Sequence, residues 1–130
     1  MQARSSTTDK GQFAHVANAI HNLFEKWQLN QKQRMQLLGF TSTSMLHRFE
    51  NEPEKVSVRP DLETRIGLLL NIHQALRTLF SNPDNVYGYL LMVNNNPPFN
   101  GQKPIEIACR DFMGLVRVHD TLDGMRGGMW

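Results

Sequence analysis

The sequence predicts an all-α protein, on three observations. Apolar residues recur at steps of three and four through most of the chain, capping residues and prolines punctuate those runs, and no segment shows sustained two-residue alternation. With 130 residues and 40% hydrophobic content, the chain can bury one compact core or two small helical units that share one.

From Gln12, the residues Phe13, Val16, Ile20, Leu23, Phe24 and Trp27 share one helical face, and this first helix is expected to end near Gln28. Asn30 with Gln33 three positions on is a capping-box signature, so Gln31 to Leu38 reads as a short second helix ended by Gly39. Thr41 or Ser42 then caps a third helix with Met45, Leu46 and Phe49 inward, which stops before Pro53 because proline lacks the amide donor. The polar stretch Asn51 to Pro60 marks a connector, with a cap expected at Asp61. Beyond it, Leu62, Ile66, Leu69, His73, Leu76 and Phe80 form one seam, and Leu68, Ile72, Ala75 and Leu79 a second. A helix apolar on two sides is either the centre of a monomeric core or a dimer interface, and the second seam is the candidate interface. Asn82-Pro83-Asp84 restarts the chain as cap, first-turn proline and acid, ahead of a helix with Val86, Tyr87, Leu90 and Val93. Asn94 to Gly101 reads as an ordered turn or a floppy loop. Pro104 opens a short helix with Ile105, Ile107 and Ala108, and a last helix carries Phe112, Leu115, His119 and Leu122. The expected division is a flexible N-terminus over 1–11, a helix-turn-helix unit over 12–58, a helical domain over 61–124 and a tail over 125–130.

Residues 1–60 carry eight Lys and Arg against five Asp and Glu, and residues 61–130 carry six against seven. A nucleic-acid face, if there is one, is therefore expected in the first half. No apolar run approaches a membrane span, and the Ser/Thr-rich start lacks the apolar stretch of a signal peptide, which points to the cytoplasm. The single Cys109 excludes an internal disulfide, and no spaced Cys or His set predicts a metal site or a cofactor. Nucleophile elbows, phosphate-cradling loops and His-Glu-x-x-His pairs are absent, so no enzyme is expected. His73 reads as a hydrogen-bonded core histidine, and Cys109 as packing.

Two constellations remain. The lengths of the first three helices and the Gly-containing turn suit a helix-turn-helix whose third element faces DNA with Ser42, Thr43, Ser44, His47 and Arg48. A plain three-helix bundle with a polar face fits the same spacing. The segment Met125-Arg126-Gly127-Gly128-Met129-Trp130 sets two glycines before a terminal Met-Trp; it suits a partner's pocket, where aromatic anchors dominate binding, or else folds back on its own domain or is disordered.

Residues 61–130 resemble the toxin-binding domain of Xre/MbcA/ParS antitoxins. The resemblance rests on Ala75-Leu76-Arg77-Thr78-Leu79-Phe80, Asn82-Pro83, Asn96-Pro97, Phe99-Asn100-Gly101-Gln102-Lys103-Pro104-Ile105-Glu106, and Val118-His119-Asp120-Thr121-Leu122-Asp123-Gly124-Met125-Arg126-Gly127-Gly128. Residues 12–58 resemble the Xre-type helix-turn-helix that precedes this domain, and the ending most resembles antitoxins paired with RES-domain toxins. The resemblance implies a partner toxin that degrades NAD, obstruction of its active site by Arg126, Gly127, Gly128, Met129 and Trp130, homodimerisation through the second half, and operon autorepression by DNA binding. Gln102 stands where the family often has a second glycine beside Gly101, and Arg110-Asp111 replaces a small residue and glycine before the last helix.

Overall fold

A computed structural model describes residues 6–127, with side chains from Gly11 onward, and within that span the chain is all-α. Its helices are α1 (Ser6–Lys26), α2 (Gln31–Leu38), α3 (Thr43–Asn51), α4 (Pro60–Leu79), α5 (Pro83–Gly88), α6 (Pro104–Arg110) and α7 (Phe112–Arg126), with 3-10 turns at Pro53–Lys55 and Tyr89–Leu91. None of the described helices is long and apolar enough to cross a membrane. The tail residues Gly128, Met129 and Trp130 lie outside the described residues.

Helix ends follow local chemistry. The described part of α1 reaches back to Ser6, upstream of the expected Gln12, because its first turns are polar and carry no apolar periodicity. It closes on Gln28, held at φ +58°. The amides of Gln28 and Leu29 bond back to the Glu25 and Phe24 carbonyls, a left-handed closure made without glycine. The Asn30–Gln33 capping box forms reciprocally, and Gly39 ends α2 at φ +73°. Ser42, not Thr41, caps α3 by accepting from the Met45 amide at 3.3 Å. Arg59 occupies the cap position of α4, because Pro60 is set for the first helical position and leaves Asp61 as a first-turn acid. α5 stops at Gly88, so Val93 lies beyond helical structure and is exposed. α7 continues through Gly124 to Arg126, two residues past the point where glycine is expected to end it, and Met125 packs on the core.

One core runs through both halves. Ile20, Phe24 and Trp27 of α1 meet Leu37 and Leu38 of α2, Leu46 and Phe49 of α3, and Leu62, Ile66 and Leu69 of α4. The same cluster continues through Leu76, Phe99, Ile105, Leu115, Val118 and Leu122. α4 and α7 make the most extensive helix pair, with α6 packed on α7. Two residues expected inward point elsewhere: Met45 is 41% exposed, and Phe112 lies at the surface beneath the Arg65 guanidinium.

Between α6 and α7 the chain turns within one residue. Asp111 caps α7 by accepting from the Gly114 amide at 2.7 Å, so Arg110-Asp111 makes a functional boundary. A Cβ on Gly114 would stand 2.0 Å from the Ile107 carbonyl oxygen, which no methyl group can do. At Gly124, on the same helix, a Cβ would meet open space, with nothing within 4 Å. Gly114→Ala is therefore expected to cost about 1–3 kcal/mol or more. Gly124→Ala should be neutral or stabilising by up to about 1 kcal/mol. Urea denaturation of the two variants checks this, and equal midpoints would refute the close approach.

Candidate functional site

The α3 face is presented by a short turn. Gly39 to Ser42 join α2 to α3, and Thr43, Ser44, His47 and Arg48 are exposed along its outer side. Ser42 is engaged as the cap of α3 and lies 3.2 Å from the Ser44 hydroxyl. The Asn51 amide contacts His47 twice, at Nδ1 (3.2 Å) and at its carbonyl (2.9 Å). Arg48 reaches a cleft of about 290 Å³, which Arg59, Phe40 and Met45 also line.

What fixes α3 in place is Arg34 of α2, a residue that sequence patterning passes over as polar surface. Its side chain is 11% exposed. Nε donates to the Leu29 carbonyl (3.0 Å), one Nη to Glu50 of α3 (2.8 Å) and the other to Glu25 of α1 (2.6 Å). The guanidinium also lies 6.0 Å from the Phe24 ring centroid. Burial weakens the Arg34 charge, but the Glu25 and Glu50 hydrogen bonds outweigh it and hold its pKa above the ordinary value. The Arg34 hydrogen bond and charge hold the Glu25 carboxyl below its ordinary value. Arg65 of α4 does the corresponding work between halves: it donates to the Gln36 and Leu37 carbonyls at 3.3 Å and lies over the Phe112 ring of α7.

The second α4 seam divides. Ile72 and Ala75 are each 1% exposed and buried in the chain's own core, so neither can offer its side chain to a second copy. Leu68 and Leu79 are half-buried and retain some surface.

At the far end of α7, Arg126 and Gly127 are exposed, and Arg126 pairs with Asp123 one turn back. The Asn94–Gly101 segment is ordered. Asn94 and Gln102 bridge, the Asn94 side chain accepts from the Asn96 amide (2.9 Å) and donates to the Tyr89 hydroxyl (3.0 Å), and Phe99 is buried. Gly101 takes the left-handed conformation at φ +92°, and Gln102 fits beside it by accepting from Arg110 at 2.7 Å. The prolines of this turn stand against α7. Pro97, Pro98, Met113, Val116 and Asp120 border a groove of about 510 Å³ that sequence reading did not identify. The pair Phe112-Met113 gave no signal of it, since adjacent apolar residues such as Leu37 and Leu38 are both buried in the same core.

Residues 75–128 match the family model of the antitoxin Xre/MbcA/ParS C-terminal toxin-binding domain. No curated protein and no solved structure matches the chain. The toxin-binding-domain match begins on the last turns of α4 and takes in α5, the proline turn, α6 and α7. Ala75, Leu79, Arg126, Gly127 and Gly128 fall inside it, whereas Leu68, Ile72 and the α3 face precede it.

Cys109 is buried within this segment, its thiol pushed up to about 12 by burial, and its Sγ faces the Gln33 carbonyl of α2 at 3.8 Å. That is packing chemistry; a thiolate nucleophile requires the opposite shift. His73 departs from expectation. Its buried Nδ1 has no hydrogen-bond partner among the described residues, and the ring stacks on Tyr87 with centroids 5.6 Å apart. Burial, with a smaller contribution from Arg77, lowers its pKa from 6.5. A base with a lowered folded pKa binds its proton more readily in the unfolded chain. Its contribution is complete above the unfolded value near 6.5 and is lost as pH falls through the lower folded value. His73→Phe should thus flatten the fall in urea midpoint between about pH 7.5 and about pH 5.5. Parallel wild-type and variant curves would show that His73 does not titrate on unfolding.

Proposed function

We propose that this chain is the antitoxin of a toxin–antitoxin pair, which binds a RES-type, NAD-degrading toxin and obstructs its active site with the segment Arg126 to Trp130. The observation that carries the reading is the toxin-binding-domain match over residues 75–128, which runs to within two residues of Trp130. Supporting it, α7 rests on the core through Leu115, Val118 and Leu122 and brings Arg126 and Gly127 out at its C-terminal end. The Arg126–Asp123 pair spans one exposed helical turn. Such surface pairs are worth little, so the guanidinium can be exchanged onto a carboxylate or phosphate in a partner. Obstruction needs no chemistry from the antitoxin itself, only a fitted segment on a rigid support.

The same protein is proposed to repress its own operon in the cytoplasm as a homodimer, with Thr43, Ser44, His47 and Arg48 facing operator DNA and Leu68 and Leu79 at the contact between copies. The exposed hydroxyls and guanidinium on α3 favour this reading. The alternative, a regulator whose second half serves only for dimerisation, shares that face and lacks the toxin.

Co-expression with the product of the neighbouring reading frame tests the main claim: the pair should co-purify, and the chain should restore growth. Removing residues 128–130 should abolish rescue while leaving the melting temperature nearly unchanged, since Met125, the last of the described residues packed on the core, is retained. Full protection by the truncated chain would move the blocking element elsewhere, and failure to co-purify would remove the toxin. For the DNA role, Arg48→Ala should weaken a gel shift on the operon's own promoter by roughly tenfold at moderate salt. Unchanged binding would dismiss α3 as the reading helix.

A further inference from the structure

The outer face of α7 and the proline turn opposite it form a preformed groove outside the tail, and nothing in the proposed mechanism yet uses it. Pro97 and Pro98 make one wall, and Met113, Val116 and Asp120 the other. Met113 is 65% exposed, the most exposed large apolar side chain among the described residues. An apolar side chain so placed contributes nothing to the core and favours covering by a partner. The walls are rigid. Phe99 anchors the turn in the core, the Asn94–Gln102 bridge closes its base, and Leu115, Val118 and Leu122 fasten the opposite side of α7. A partner entering such a groove loses little freedom to ordering of the groove itself.

Helical register extends this face toward the tail. Met113, Arg117, Asp120 and Gly124 succeed one another at steps of four, three and four, so they lie along one side of α7. At Gly124 that side carries no Cβ and meets nothing within 4 Å, which lets another backbone approach closely. Two residues later the helix ends in Arg126 and Gly127.

We infer that the proline-turn groove and the adjoining face of α7 are a second docking surface for the toxin, one that seats an apolar toxin side chain on Met113 and Val116 while the tail enters the pocket. This rests on the antitoxin reading. Three features favour the toxin as occupant: the groove is built wholly from residues inside the toxin-binding-domain match, it is continuous along one helix with the proposed blocking segment, and its rim offers both charges, Arg117 and Asp120, to flanking polar groups. Asp120 is partly engaged by His119 at 2.9 Å, an exposed contact that a partner can replace. Two anchor points on one rigid helix fix the angle at which the tail enters, so the groove supplies orientation as well as affinity.

Two variants test it in the full chain, with the neighbouring frame's toxin as probe and binding measured by calorimetry. Met113→Asp alters only an exposed side chain and should weaken binding by about tenfold or more, with the melting curve preserved. Gly124→Gln places bulk where a backbone would approach; it should weaken binding while holding or raising the melting temperature, a combination that a merely structural role for Gly124 does not produce. If wild type binds the toxin and both variants bind equally well, the groove inference is overturned and the antitoxin reading stands. If wild type captures no toxin, both fall. If Met113→Asp instead splits a homodimer in sedimentation experiments while toxin affinity per chain is unchanged, the groove joins two copies and the inference is overturned.

Discussion

The arrangement of the first half depends on Arg34. One guanidinium links three helices, donating to Glu25 of α1 and Glu50 of α3 while its own helix supplies the stem, and it also ties down the Leu29 carbonyl at the α1–α2 corner. Hydrogen bonds to charged groups are worth roughly 1.5–3 kcal/mol where solvent is excluded, which applies to the Glu50 side and much less to the exposed Glu25. The Glu50 carboxylate is completed by His21, 3.1 Å away. Apolar packing of Phe49 and Leu46 sets how deeply α3 sits, but such contacts are non-directional; the charge-assisted bonds fix its rotation. The exposure of Thr43, Ser44 and Arg48 together on one side of α3 is a consequence.

Arg65 passes that order on to the second half. A helix end leaves its last carbonyls without intrahelical donors, and Arg65 satisfies two of them on α2 while its plane covers Phe112. This explains an apolar ring at the surface: Phe112 is covered by a cation, and its position ties the start of α7 to the end of α2. The Cys109 thiol, pointed at the Gln33 carbonyl, adds a weaker contact between the same regions. No residue as a whole is both polar and buried among those described, so the ionic groups work at the edges of an apolar core. The exceptions at atom level, Trp27 Nε1 and His73 Nδ1, carry the cost of burial without a described partner.

Helix identity was legible because it is written locally. The Asn30–Gln33 box, Gly39, and the prolines at the starts of α4, α5 and α6 each impose a backbone choice that any neighbour must accept. What escaped the sequence depends on pairs remote from one another. The direction of Met45 and Phe112, the burial of Ile72 and Ala75, and the stacking of His73 on Tyr87 are decided by which helix arrives opposite, and periodicity is silent on that. Arg34 illustrates the limit well, since a lone arginine in a polar octamer has the pattern of solvent-exposed surface until Glu25 and Glu50 are brought to it from both flanks. Of the candidate site, the exposed α3 residues and the Arg126–Gly127 end were readable as composition, whereas the groove was not, because its two walls are separated in sequence by α6.

The geometry of that groove is set from inside the protein. Gly114 brings the first turn of α7 against the Ile107 carbonyl, at a distance that no side chain tolerates, and this fixes the height of the helix above α6. With the height fixed and the inner face held by Leu115, Val118 and Leu122, the rotation of α7 has no freedom left, and Met113 must face outward. On the other wall, burial of Phe99 performs the same service for Pro97 and Pro98. Residues buried in the core thus determine where the exposed ones stand. A surface specified in this way keeps its shape when its exposed side chains change, so Met113, Arg117 or Asp120 can be replaced without disturbing the fold that displays them.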